Sequence, residues 1–174
     1  MTLHIRDATE IDLPTIVAIY NESIPGGRAT ADTSPIAVAD RVEWFRKFDP
    51  KKRPIWVAEE DGKIIGCIYL TFFYGGRPAY DKTAEVSLYL ASTHQRRGIG
   101  TILMQKMIDK CPELGVTTLI GMHFDHNDAT RQLNEKFGFK KVGHLPEIAE
   151  VHDQKRGLTI SILRIKEKVR KHTS

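Results

Sequence analysis

Ser87-Leu-Tyr-Leu-Ala-Ser-Thr-His-Gln-Arg-Arg-Gly-Ile-Gly100 is the stretch from which the rest of the chain can be read. Its first part reads as a strand, with Val86, Leu88 and Leu90 alternating onto one face. Its last part opens a helix, because Ile99, Ile102, Leu103, Lys106, Met107 and Lys110 recur at helical spacing. Between them lie Arg96, Arg97, Gly98 and Gly100. Glycine permits a tight turn and brings backbone N–H groups close to a ligand. A helix start leaves its first N–H groups unpaired and carries partial positive charge. With two arginines added, such a place suits a pyrophosphate. The dinucleotide pattern Gly-x-Gly-x-x-Gly is absent, because position 103 is leucine, and so is the Walker phosphate loop.

Outward from this stretch, the chain alternates strands and helices. Leu3–Arg6 is a first strand. Thr9-Glu-Ile-Asp12 resembles a capping box with aspartate in place of glutamate, opening a helix through Leu13, Ile16, Val17 and Tyr20. Asn21–Thr33 is a loop. Ser34-Pro35 predicts the start of a second helix, with Ala37, Val38, Val42, Phe45 and Phe48 inward, ended by Asp49-Pro50. Ile55–Glu60, Asp61-Gly62 and Lys63–Phe73 read as a hairpin. The helix after Gly98 fades at Cys111-Pro112 and ends by Gly115. Thr117–His123 is a buried strand, Asn127 caps a helix over residues 128–137, and Gly138 closes it. Phe139–His144 and Leu158–Ile165 are the last strands, with a polar stretch and a turn at Lys155-Arg-Gly157 between them. This order predicts an α/β domain spanning 1–174, a central mixed sheet with helices on both faces.

With 174 residues, 41% hydrophobic and 28% charged, the chain can bury one real core. No apolar run reaches membrane-spanning length, and no signal peptide is visible, so a cytoplasmic protein is expected. Cys67 and Cys111 read as free thiols of a reducing compartment. A net charge of +4 suits an anionic ligand but is too mild to argue for nucleic acid. Much of the excess lies in the basic tail from about residue 166. His123-Phe-Asp-His126 lies at a strand exit without a cysteine pair, which gives no basis for a metal site. Trp44 and Trp56 suit the core or a dimer surface.

The motif Gln95-Arg-Arg-Gly-Ile-Gly100 resembles the Gln/Arg-x-x-Gly-x-Gly/Ala signature of the GCN5-related N-acetyltransferases. Asn127-x-Ala129 followed by Asn134-Glu-Lys-Phe-Gly-Phe139 resembles a second segment of that family, beside the thioester of acetyl-CoA. Arg77-Pro-Ala-Tyr-Asp-Lys-Thr-Ala-Glu-Val-Ser-Leu-Tyr-Leu90 and His94–Gly98 are similar to the phosphinothricin and methionine sulfoximine acetyltransferases within it, as is Trp44-Phe45. The resemblance covers nearly the whole chain. It implies acetyl-CoA as cosubstrate, no metal, a homodimer, and a sheet that is mostly antiparallel and splayed at the cofactor site. It assigns Leu88, Tyr89 and Leu90 to the pantetheine arm. Gln95, Arg96, Arg97, Gly98, Ile99, Gly100 and Thr101 go to the pyrophosphate, and Asn127 and Asn134 to the thioester end. A backbone N–H, that of Leu88, would serve the thioester oxygen.

Glu85 is the candidate base. The resemblance places a catalytic glutamate there. Independently, a carboxylate between Ala84 and Val86 near the sheet centre would have its pKa raised by burial, which suits it to take a proton from an amine. Arg77 is the candidate clamp for a substrate carboxylate, which a guanidinium holds bidentately. Tyr80 and Arg28 are its candidate neighbours. Two departures stand out. Gly26–Asp32 lacks the subgroup's aromatic or hydroxyl-rich pattern, and Asn134 stands where tyrosine or histidine is usual. Asparagine can hydrogen-bond the sulfur but cannot deliver a proton as an acid, which leaves that task to solvent. The predicted function is transfer of acetyl to the α-amine of a small amino-acid analogue. The alternatives are a protein N-terminus, lysine or polyamine as acceptor, or a non-catalytic CoA sensor. Arg28, Arg77 and Lys82 weigh against a polyamine, and Glu85 against a sensor.

Overall fold

The computed structural model describes residues 2–166; most of the basic tail, from residue 167 on, lies outside them. The elements follow the expected order: β1 (Leu3–Asp7), α1 (Leu13–Glu22), α2 (Val38–Phe45), β2 (Ile55–Glu60), β3 (Lys63–Phe72), β4 (Thr83–Leu90), α3 (Ile99–Lys110), β5 (Thr118–Phe124), α4 (Asp128–Lys136), β6 (Lys140–Val151) and β7 (Gln154–Arg164). The strands form one open sheet, β1-β2-β3-β4-β5-β7-β6. All neighbouring pairs are antiparallel except β4–β5.

The period of two along β3 and β4 divides two cores. Ile68, Leu70, Ala84 and Val86 pack with Leu103, Met104 and Met107 of α3. Cys67 and Tyr69 face the other way, with Ile16 of α1 and with Trp44, Phe45 and Phe48. Covered on both faces, β3 reads as a continuous apolar run rather than an alternating one. Both cysteines are free and buried. Trp44 packs edge-on to Tyr69 at 5.2 Å, and Trp56 donates to Asp7 at 3.0 Å.

The capping box forms with aspartate in it: the Thr9 N–H donates to Asp12 Oδ2 at 2.7 Å. Asp12 also takes both Arg6 terminal nitrogens, at 2.7 and 2.9 Å, which pulls its pKa down to about 2. Two expectations are corrected. Ser34-Pro35 does not start α2. Asn21 clamps Ile36, its amide nitrogen donating to the Ile36 carbonyl and its oxygen accepting from the Ile36 N–H, both at 3.0 Å. That bond pair satisfies the extended backbone, and the helix is delayed to Val38, which leaves Ala37 and Val38 exposed. Lys155-Arg-Gly157 is not a turn. It lies within β7, and the hairpin turns at His152-Asp153, both with positive φ, between paired Val151 and Gln154. The polar stretch is thus a long β6–β7 hairpin, bulged between Leu145 and Ala149 around Pro146, which has no N–H to donate.

Candidate active site

Strands β4 and β5 pair only over Thr83–Glu85 against Thr118–Ile120. Past that point β4 stays on β3 as far as Leu90, and β5 stays on β7 as far as Phe124. The sheet therefore forks immediately after Glu85. The Ala91 N–H bonds the Ile65 carbonyl on β3 at 2.9 Å. Alternation along the strand then turns the N–H groups of Leu88 and Leu90 into the fork. Backbone groups without a strand partner there call for an extended ligand, added like a strand.

A cavity of about 450 Å³ occupies the fork, within the range of small-ligand sites. Glu85, Leu88 and Tyr89 line it from β4, and Met122, His123 and Phe124 from β5. Asn127 and Asn134 line it from α4 and its cap, and Arg28 from the loop after α1. The tip of the β6–β7 hairpin braces that loop. His126 Nε2 bonds the Gly27 carbonyl at 3.0 Å, and the Tyr89 hydroxyl donates to the Ala29 carbonyl at 3.3 Å. Gly27 has φ +58°, and a Cβ there would stand 2.7 Å from the His152 ring, so no side chain fits between loop and hairpin.

Glu85 is half-buried, and its pKa is raised with burial as the cause. A carboxylate pushed up by desolvation alone is a better proton acceptor than an exposed one. Asn134 is buried, and its Nδ2 has no hydrogen-bond partner. A Cβ on Gly121 would stand 2.8 Å from that nitrogen, so a glycine in β5 is what admits the amide. An unpaired buried donor facing a cavity is suited to an acceptor such as a thioester sulfur. Asn127 Oδ1 accepts from the Thr130 N–H at 3.1 Å and caps α4, as the sequence predicts.

The loop before α3 has the features of an anion site. Gly98 caps the helix with φ +80°, and nothing lies within 4 Å of where its Cβ would stand. The first helical bond runs from the Ile102 N–H to the Gly98 carbonyl at 3.2 Å, so the N–H groups of Ile99, Gly100 and Thr101 precede the ladder. Gln95 anchors the loop by donating to the Leu90 carbonyl at 3.3 Å. Arg97 is held by Glu60 at 2.9 and 3.0 Å, and Arg96 is exposed with φ 61°. Unpaired N–H groups, an open backbone and nearby arginines fit a pyrophosphate, and the forked strand edge fits a pantetheine arm.

Arg77 and Tyr80 are not among the residues lining the cavity. Tyr80 stacks edge-on with Phe73 and Tyr74 at 5.4 and 5.8 Å, and Arg77 lies 5.9 Å over the Tyr74 ring. Their loop leaves β3 at Phe72 and enters β4 at Thr83, at the Glu85 end of the fork, because Phe72 pairs with Ala84. Arg28, Glu85, Leu88, Tyr89, Asn127 and Asn134 do meet in one cavity. Sequence reasoning missed His123, whose signal was a histidine within an apolar strand. It also missed the wall made by Ile148, Ala149 and Leu158, for which there was no local signal. His123 and His126 do not converge, because His126 reaches back to Gly27.

Residues 15–139 match the acetyltransferase (GNAT) family. A Bacillus subtilis protein provisionally named a phosphinothricin acetyltransferase is 42% identical over 92% of this chain and 96% of its own length. An L-methionine sulfoximine/L-methionine sulfone acetyltransferase of Pseudomonas aeruginosa is 30% identical over 86% of this chain and 87% of its own. The crystal structure of a phosphinothricin acetyltransferase from Sinorhizobium meliloti, in complex with acetyl-CoA, superposes with a TM-score of 0.89 at 28% identity, covering 97% of this chain and 91% of that one.

Proposed function

This chain belongs to the acetyltransferase (GNAT) family, and we propose that it moves acetyl from acetyl-CoA to the α-amine of a small amino-acid analogue of the phosphinothricin, methionine sulfoximine or methionine sulfone type. The observation that carries this reading is the fork at Glu85, which sets a desolvated carboxylate beside an unpaired strand edge. Acetyl-CoA supplies an activated acyl group. Glu85 takes the proton from the substrate ammonium. The Leu88 N–H donates to the thioester oxygen as charge develops on it, which is most effective from a preorganised donor. Asn134 Nδ2 donates to the sulfur. The N–H groups after Gly98, with Arg96 and Arg97, hold the pyrophosphate.

The substrate carboxylate falls to Arg28 inside the cavity and to Arg77 on the adjoining loop, with Tyr80 beside it. A cation in the lining works against a polyamine acceptor. The retained Glu85 works against a non-catalytic sensor. We also propose a homodimer, supported by exposed Val142, Leu145 and Ile148 on edge strand β6, and a cytoplasmic location, supported by two free buried thiols. The test is CoA-thiol release from acetyl-CoA against amino acids, their sulfones and sulfoximines, and polyamines. Turnover confined to polyamines, or absent from every amine, would refute the reading.

A further inference from the structure

We infer that His123 delivers the proton to the departing CoA thiolate, the task that Asn134 cannot perform. The inference rests on the acetyl-transfer reading above. His123 is buried on β5, on the same face as Gly121, the position whose missing side chain admits the Asn134 amide. Its Nδ1 lies 2.9 Å from the Phe124 carbonyl. A carbonyl only accepts, so Nδ1 carries the proton of that bond, and Nε2 is the atom left to gain and lose one.

A second cavity, of about 420 Å³, lies on the far side of this pair, beneath α4. His123 and Asn134 line both cavities. Polar side chains line part of the second: Thr159 and Ser161 come from β7 and Asp125 from the turn after β5. The charged groups around His123 are largely occupied with one another. Asp125 takes His144 of β6 at 2.8 Å and the Thr159 hydroxyl at 3.0 Å. Arg131 of α4 is bound to Asp128 at 2.9 Å and to Glu135 at 3.2 Å. Lys141 of β6 completes this side, and Glu85 and Arg28 stand in the first cavity. His123 therefore sits in a wall between the acetyl-transfer cavity and a partly polar chamber able to hold water, the position of a proton relay.

The step balances. The substrate nitrogen loses one proton to Glu85 before it attacks and a second to water as the amide forms. The N–C bond forms, the C–S bond breaks, and its electron pair leaves on sulfur. The imidazolium Nε2 proton passes to that sulfur, giving the free thiol and a neutral imidazole. Glu85 returns its proton to solvent and water in the second cavity protonates His123 again, so both groups are restored and one proton is released to solvent overall.

An acid that must be protonated imposes a fall in kcat as pH rises through its pKa. The experiment is the kcat–pH profile, from pH 5.5 to 10, of wild type, His123→Ala and His123→Gln with acetyl-CoA and the best amino-acid acceptor. Both variants are expected to lose about 100-fold in kcat, as for loss of a general acid. They should also lose the alkaline limb while keeping the acetyl-CoA KM. Imidazole should restore His123→Ala, which leaves room for it, and not His123→Gln. Packing alone would not give that difference. An alkaline limb retained in either variant, absent from wild type, or lost without imidazole rescue of the alanine variant would overturn the proposal. Wild type without turnover of any amine would instead sink the functional reading beneath it.

Discussion

Replacing Glu85 by glutamine removes the proposed proton acceptor and almost nothing else, because amide and carboxylate have the same shape. A general base contributes about 100- to 10,000-fold to a rate, so kcat should fall by that factor, or about 3–5 kcal/mol of barrier. The Leu88 N–H, the fork and the Gly98 loop are untouched, and calorimetry should show unchanged acetyl-CoA affinity. The wild-type profile should have an acidic limb above the ordinary carboxylate range, because burial raises the Glu85 pKa and only the ionised form accepts a proton. The variant should lack that limb. Stability gives an independent check. A folded-state pKa raised by burial favours the neutral carboxyl, so its contribution is full below the unfolded pKa and is lost as pH rises through the folded one. Glu85→Gln should therefore melt higher than wild type at pH 8 and level with it at pH 4. Wild-type turnover in the variant across pH 6–9, with equal melting at both pH values, would remove Glu85 as the buried base.

Other outcomes follow from the same geometry. Gly98→Val places a β-branched residue at φ +80° and fills the open space over the α3 start, so acetyl-CoA affinity should fall at least tenfold by calorimetry in a variant whose far-ultraviolet spectrum is unchanged. Arg28→Ala and Arg77→Ala should each raise the KM for an amino acid about ten- to a hundredfold, as for loss of a charged hydrogen bond of about 1.5–3 kcal/mol, and leave its decarboxylated amine unaffected; equal losses on acid and amine would make either residue a loop support. Asp12→Asn should cost about 2 kcal/mol at pH 7 by urea unfolding, because the Arg6 pair holds its carboxyl at about 2. A depressed pKa contributes above the unfolded value and fades as pH falls through the folded one, so the cost should shrink between about pH 4 and pH 2.

Much of this protein is local chemistry and was legible in the chain. The order of strands and helices, the Asp12 box, the Asn127 cap and the turn at Gly98 depend on neighbours a few residues away, and local propensity and periodicity report them. The start of the second helix was misplaced because Asn21, fifteen residues upstream of Ile36, satisfies that residue's backbone outside the helix, which begins only at Val38. The polar hairpin failed because its strands carry little apolar alternation, and pairing of β6 with β7 supplies the order instead.

The sequence by itself determined which residues could carry the chemistry: a carboxylate within an apolar strand, glycines and arginines at a helix start, and an asparagine where an acid is usual. Only the tertiary structure decided where they meet. Strands β4 and β5 part after Glu85 because each remains bonded to its other neighbour, and that parting opens the Leu88 edge. It brings Arg28, His123 and Asn134 to one cavity and leaves Arg77 on an aromatic cluster outside its lining. Side-chain convergence depends on strand register and sheet twist across distant segments, and no window of neighbouring residues encodes that distance.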